Sequence, residues 1–193
     1  MRKLWRKNGV FRTGGFDANV LLLSCCYALG VLAGYFAYSF FGFCLSIKTV
    51  PQWSEFVAYV WYYVKYLLLA FVCGYTTLGI LVQPAILIAK GFFMCSAVVS
   101  AVITLSKSDA LNVLSGNALI SIVSLVCLFI LSTRGLQGAK NAFSVMTHRR
   151  VSYAEPGFAT RQIVRFLICV AAVAVAGALN IIMAPYFAAI AIK

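Results

Sequence analysis

The chain has 193 residues, of which 63% are hydrophobic and 10% charged, and its mean hydropathy is +0.97. That composition excludes an ordinary soluble globular domain and points to a polytopic membrane protein. Sixteen Lys and Arg against four Asp and Glu give a net charge of +12. The excess lies in two flanking segments, so it reads as orientation and attraction to anionic lipid headgroups, with no nucleic-acid partner.

Residues 1–17 carry Arg2, Lys3, Arg6, Lys7 and Arg12 ahead of an uncharged run at 18–47. That run is about twice the length of a signal-peptide core and is expected to stay as a first span. Gly30 and Gly34 form a G-x-x-x-G, which allows close helix approach within the molecule or with a second copy in a homo-oligomer. Residues 48–55 lead to a second span at 56–78. Its start is crowded with Phe56, Tyr59, Trp61, Tyr62, Tyr63 and Tyr66, rings suited to a membrane interface. Lys65 lies among them and is expected to reach toward that interface.

The stretch 66–105 contains a single charge, Lys90, and is too long for one span but long enough for two. Gly74, Gly79, Gln83 and Pro84 mark a break in it. Pro84 suits the first turn of a third span at 84–105, where its missing N–H costs nothing, so a tight hairpin is expected between the second and third spans. The polar patch 106–109 precedes a fourth span at 110–133. Asp109 is expected to cap it, and Asn112 and Asn117 in its first turns suit interhelical hydrogen bonds or interface solvation better than a substrate site.

Residues 134–165 form a basic loop containing His148. Within it Leu136, Ala139, Phe143 and Met146 recur at helical spacing, which predicts a short helix in the headgroup plane, broken near Pro156 and Gly157. A fifth span is expected at 166–192. Its Ala171, Ala172, Ala174, Ala176, Gly177 and Ala178 form a small-residue surface for close packing, and Asn180 and Pro185 are expected to soften its outer half.

The reading is an all-α, single membrane domain with five spans. Cytoplasmic loops collect Lys and Arg, so the N-terminus and the 134–165 loop are placed on the cytoplasmic side of the cell membrane and the C-terminus outside. Only a hairpin within 66–105 puts both basic segments on one side.

The residues argue against catalysis. There is no intramembrane carboxylate pair, no G-x-S-x-G and no phosphate loop, and the seven cysteines and lone His148 show no metal-ligand or cofactor spacing. Lys90 is the one intramembrane ionisable candidate. Counted from Pro84 it lies about 9 Å inside the third span, within reach of the interface by snorkelling. The alternative is a buried cation facing an anionic solute path or a partner's carboxylate, although no polar ladder is expected to continue from it. Partner-gripping surfaces are expected at Gly30 and Gly34, at Ala172, Ala176 and Gly177, and at the aromatic outer rim.

Gly74, Gly79, Pro84 and the run Lys90-Gly91-Phe92 resemble the central part of the stage II sporulation protein M family. The small polytopic size, the basic N-terminal stretch and the glycine-containing first span (Gly30, Gly34) are similar too. Many relatives place His or an acidic residue near the start of the following span, where this chain has Asn112 and Asn117. The resemblance implies a membrane protein of endospore-forming bacteria acting during engulfment. Such a protein would be a non-catalytic scaffold that localises septal peptidoglycan hydrolases; relatives outside sporulation are sometimes found beside transporter components.

Overall fold

The computed structural model describes the backbone of residues 13–41, 53–147 and 157–191. Side chains are described for 18–40, 53–106, 109–110, 113–147 and 157–183. Among these residues the chain is all-α, with helices α1 (Thr13–Phe41), α2 (Phe56–Cys73), α3 (Gly79–Thr104), α4 (Lys107–Met146) and α5 (Phe158–Ala191), and a 3₁₀ turn (Trp53–Glu55) ahead of α2. All five α-helices contain a stretch long and apolar enough to cross a membrane: Ala18–Phe40, Trp53–Cys73, Gly79–Thr104, Val113–Met146 and Phe158–Met183. This is a multi-pass membrane architecture. The side chains of Asn112, His148 and Pro185 lie outside the described residues.

Helix α1 rests on α3 at Gly30 and Gly34, which are buried along with Asn19 and Leu23. Glycine decides this contact. A Cβ on Gly30 would collide with the backbone of Ile88, one on Gly34 would sit 2.7 Å from the Phe92 carbonyl oxygen, and one on Gly91 would sit 2.5 Å from that of Tyr27. The G-x-x-x-G is therefore consumed inside the molecule and is not a free partner face.

The connection at 74–78 stays wound by short-range bonds, with Tyr75 N–H donating to the Val72 carbonyl and Gly79 N–H to that of Thr76. Because this winding runs straight into α3, the helix begins at Gly79 and Pro84 lies inside it. That corrects the placement of Pro84 in the first turn and of the span at 84–105. Across the connection Gln83 Nε2 donates to the Ala70 carbonyl, and the Lys90 ammonium lies over the Tyr63 ring.

Helix α4 is capped by Ser106, whose hydroxyl accepts from Asp109 N–H and donates to the Asp109 carboxylate at 2.6 Å. Ser106 is thus the cap, which corrects the expectation that Asp109 caps the helix; the Asp109 carboxylate instead accepts from the capping hydroxyl. The helix continues without interruption to Met146, which corrects the expectation of a separate helix after residue 133. The reason is packing against the 74–79 turn. A Cβ on Gly138 would meet the Gly74 carbonyl at 2.6 Å, one on Gly135 would meet Gln83 Nε2 at 2.6 Å, and one on Gly79 would meet Ala139 Cβ at 3.0 Å. Leu136 and Ala139 accordingly point inward, while Phe143 and Met146 are exposed.

Helix α5 starts directly after Gly157, whose φ of 83° is a left-handed value that favours glycine. Phe166 stacks on Phe71 with ring centres 4.7 Å apart, and the Tyr75 hydroxyl donates to the Ala159 carbonyl at 3.3 Å. Further along, Gly177 fits against Val60 and Ile120, and Ala176 is buried. The small-residue face of α5 therefore also packs internally, with Ala172 half-buried beside the core. Leu23, Leu67, Leu87, Ile120, Leu128, Leu131 and Val173 fill the centre of the bundle.

Candidate functional site

Tyr59 and Tyr63 lie one turn apart on α2, and Asn117 and Ser121 lie one turn apart on α4. Equal spacing on two helices packed side by side brings both pairs into register. The Tyr59 hydroxyl donates to Asn117 Oδ1 at 2.8 Å, and the Tyr63 hydroxyl lies 3.4 Å from Ser121 Oγ. Asn180 of α5 donates from Nδ2 to the Tyr59 hydroxyl at 3.2 Å, and Asn117 Nδ2 donates to the Val113 carbonyl at 2.9 Å. Asn180 therefore ties helices together where the sequence suggested a softened helix. Tyr59, Tyr63 and Asn180 are all buried, so these bonds occupy polar atoms that hydrocarbon would otherwise leave unsatisfied.

The seam runs on to Lys90, which is 5% exposed. Its ammonium lies 4.7 Å from the Tyr63 ring centre and 5.3 Å from that of Tyr66. Tyrosine ring faces attract cations electrostatically. A polar ladder thus does leave Lys90, passing through Tyr63 to Ser121, and one turn on through Tyr59 to Asn117 and Asn180. With α3 beginning at Gly79, Lys90 is about 16 Å from the helix start, near mid-span rather than close to an end. It faces the bundle interior and does not snorkel along the surface.

Lys65 lies beside the same rings. It sits midway between Phe56 and Cys73 on α2 and is exposed, with its ammonium 4.5 Å from the Tyr62 ring centre and 5.2 Å from that of Tyr66. Two lysines at one depth therefore share the Tyr66 ring. A lysine at the centre of a spanning helix costs about 2.5–3.5 kcal/mol on insertion scales, which ring faces only partly offset. Among the described residues neither lysine forms an ion pair.

A second polar point lies at the 74–79 turn. Gln83 is fully buried, donates from Nε2 to the Ala70 carbonyl at 2.6 Å, and has no partner for Oε1. Nearby, Lys140 Nζ on α4 donates to Asn19 Oδ1 on α1 at 2.6 Å, which fastens the start of α1 to the basic end of α4. Arg134 and Arg165 bond to Gln137 and Gln162, each three residues along its own helix.

Of the residues singled out from the sequence, Lys90 and Asn117 belong to one seam, while Gly74 and Gly79 build the turn. Gly30, Gly34, Ala176 and Gly177 are internal packing positions. Sequence reasoning missed Tyr59, Tyr63, Ser121 and Asn180 as seam members, because tyrosine near a span end reads as an interfacial ring. The usable signal was the matched four-residue spacing of Tyr59 with Tyr63 and Asn117 with Ser121. Comparison with family models, curated proteins and solved structures gives no match for this chain.

Proposed function

We propose that this chain is a non-catalytic, multi-pass membrane subunit that anchors other proteins. The observation that supports this reading is the Tyr59, Asn117 and Asn180 junction, in which the polar atoms of three helices are bonded to one another. Such a junction serves a fixed framework. Its specific form follows the resemblance carried by Gly74, Gly79, Pro84 and Lys90-Gly91-Phe92. In that form the chain is a scaffold that localises septal peptidoglycan hydrolases during engulfment. The N-terminus and the segment after Met146 face the cytoplasm, the C-terminus faces outward, and the chain reverses as a hairpin between α2 and α3. The basic residues at 2–12 and 134–165 support that orientation. The test is affinity capture of tagged protein from gently solubilised native membranes of growing and sporulating cells. Cell-wall hydrolases enriched in the sporulating sample are the expected result, and their absence from it overturns the sporulation form.

A second reading, a permease accessory subunit with an anionic solute path, is favoured by the mid-span burial of Lys90 at the end of the hydroxyl seam. In reconstituted vesicles, Lys90→Met then abolishes anion flux while assembly persists. Unchanged flux removes this reading.

A further inference from the structure

We infer that the outward face of α2 around Lys65, backed by Lys90, is the docking site for a transmembrane helix of another protein that carries a carboxylate at mid-bilayer depth. This deepens the scaffold reading and rests on it, by naming the chemistry through which a partner is held.

The argument begins with an uncompensated charge. Lys65 is exposed midway along α2, and Lys90 stands behind the same Tyr66 ring at the same depth. Ring faces orient both cations without neutralising them. A counter-charge must therefore come from elsewhere, and among the described residues this chain offers none at that level. Its four acidic residues are Asp17, Glu55, Asp109 and Glu155. Glu55 precedes α2, Asp109 lies in the first turn of α4, Asp17 lies near the start of α1, and Glu155 falls between α4 and α5. A second copy of the chain brings the same set and is excluded as the source.

Direction distinguishes the remaining occupants. A solute moving through the bundle would meet Lys90, which is inside, but Lys65 points out of the bundle and can be approached only laterally. Lipid phosphates remain at the headgroup level, far from a residue at mid-span. The surface around Lys65 suits a helix. Trp61, Leu68 and Val72 are exposed at 56%, 38% and 52% and, with Lys65, follow one another at four-, three- and four-residue spacing, a stripe along one side of α2. That stripe provides apolar contact above and below a single charge. An intramembrane carboxylate of a partner helix placed opposite Lys65 completes the pair in a medium where both ions alone are costly.

The test uses a co-expressed, tagged polyleucine transmembrane helix with one central Glu as probe, alongside otherwise identical helices with Gln or Leu at that position. Recovery of each on the full-length protein from mild detergent is measured. The expected result is about tenfold more Glu helix than Gln or Leu helix with the wild-type chain. That excess is lost in Lys65→Leu and Lys65→Gln, kept in Lys65→Arg, and reduced in Lys90→Met. Because Lys65 faces away from the core, its three variants keep the elution profile of the wild type. Equal recovery of the three helices, or an unchanged excess in both Lys65→Leu and Lys65→Gln, overturns the proposal. The probe reports on this face whether or not a native partner is captured, so failure of the site and failure of the scaffold reading appear in separate samples.

Discussion

Gly30 of α1 lies directly against the backbone of Ile88 of α3, with no room for a Cβ between them. Replacing Gly30 with Leu forces the two backbones apart, and since neither can yield locally the loss is expected to reach or exceed about 3 kcal/mol, the upper part of the range for overpacking. Thermal unfolding in detergent checks this. The monomer itself should lose stability, and a variant that unfolds like the wild type but no longer self-associates would instead place Gly30 at a dimer face.

Removing the Tyr59 hydroxyl strips Asn117 and Asn180 of a shared partner at once. Tyr59→Phe is expected to lower stability by about 1 kcal/mol, with a Tyr59→Phe and Asn117→Ala double-mutant cycle showing a coupling near 0.6 kcal/mol, the usual worth of an interhelical bond in a bilayer. Reversible unfolding in mixed micelles supplies the numbers. Additive single mutants would mean that the 2.8 Å contact contributes nothing.

Lys90→Met is expected to stabilise the isolated chain. Burial of an ammonium without a carboxylate is costly, and Met fills the same volume without charge, so a gain of about 1–3 kcal/mol is expected. A fall in the unfolding midpoint would show that the Tyr63 and Tyr66 rings hold the cation more strongly than its burial penalises it.

Gly138→Ala and Gly157→Ala should both destabilise, for different reasons. At Gly138 a methyl meets the backbone oxygen of Gly74, whereas Gly157 has open space around it and suffers only from its φ of +83°. Asn tolerates left-handed geometry, so Gly157→Asn is expected to recover most of the roughly 1–2 kcal/mol lost in Gly157→Ala. Gly138→Asn should be worse than Gly138→Ala. Equal behaviour of Asn at the two sites would contradict this distinction.

Five spans were legible because hydropathy and length state them directly. Their ends were less so. Pro84 looked like a helix start because proline is favoured there, yet the wound connection at 74–78 moves the start to Gly79. The basic residues after Thr133 looked like a loop, yet Gly135, Gly138 and Ala139 keep a small face that packs the turn and carries α4 onward. The glycine pair in α1 was visible as a close-packing motif, but a single sequence does not say which helix it meets. The seam was hidden because a hydroxyl pointing into the bundle and one pointing at headgroups are written with the same letter. Only the pairing of α2 with α4 and α5 separates them.

The Tyr59 junction joins α2 to the last helix of the chain, and this bears on how the protein is made. A ribosome delivers α2 to the membrane well before Asn180 emerges, so through most of synthesis the Tyr59 hydroxyl lacks one of its two partners. The bundle locks only when α5 arrives, and a chain stalled before that point exposes amide and hydroxyl groups to lipid. Such an unfinished product would be recognisable to the quality-control machinery of the membrane by an uncovered Tyr59–Asn117 pair whose hydroxyl still lacks its Asn180 donor.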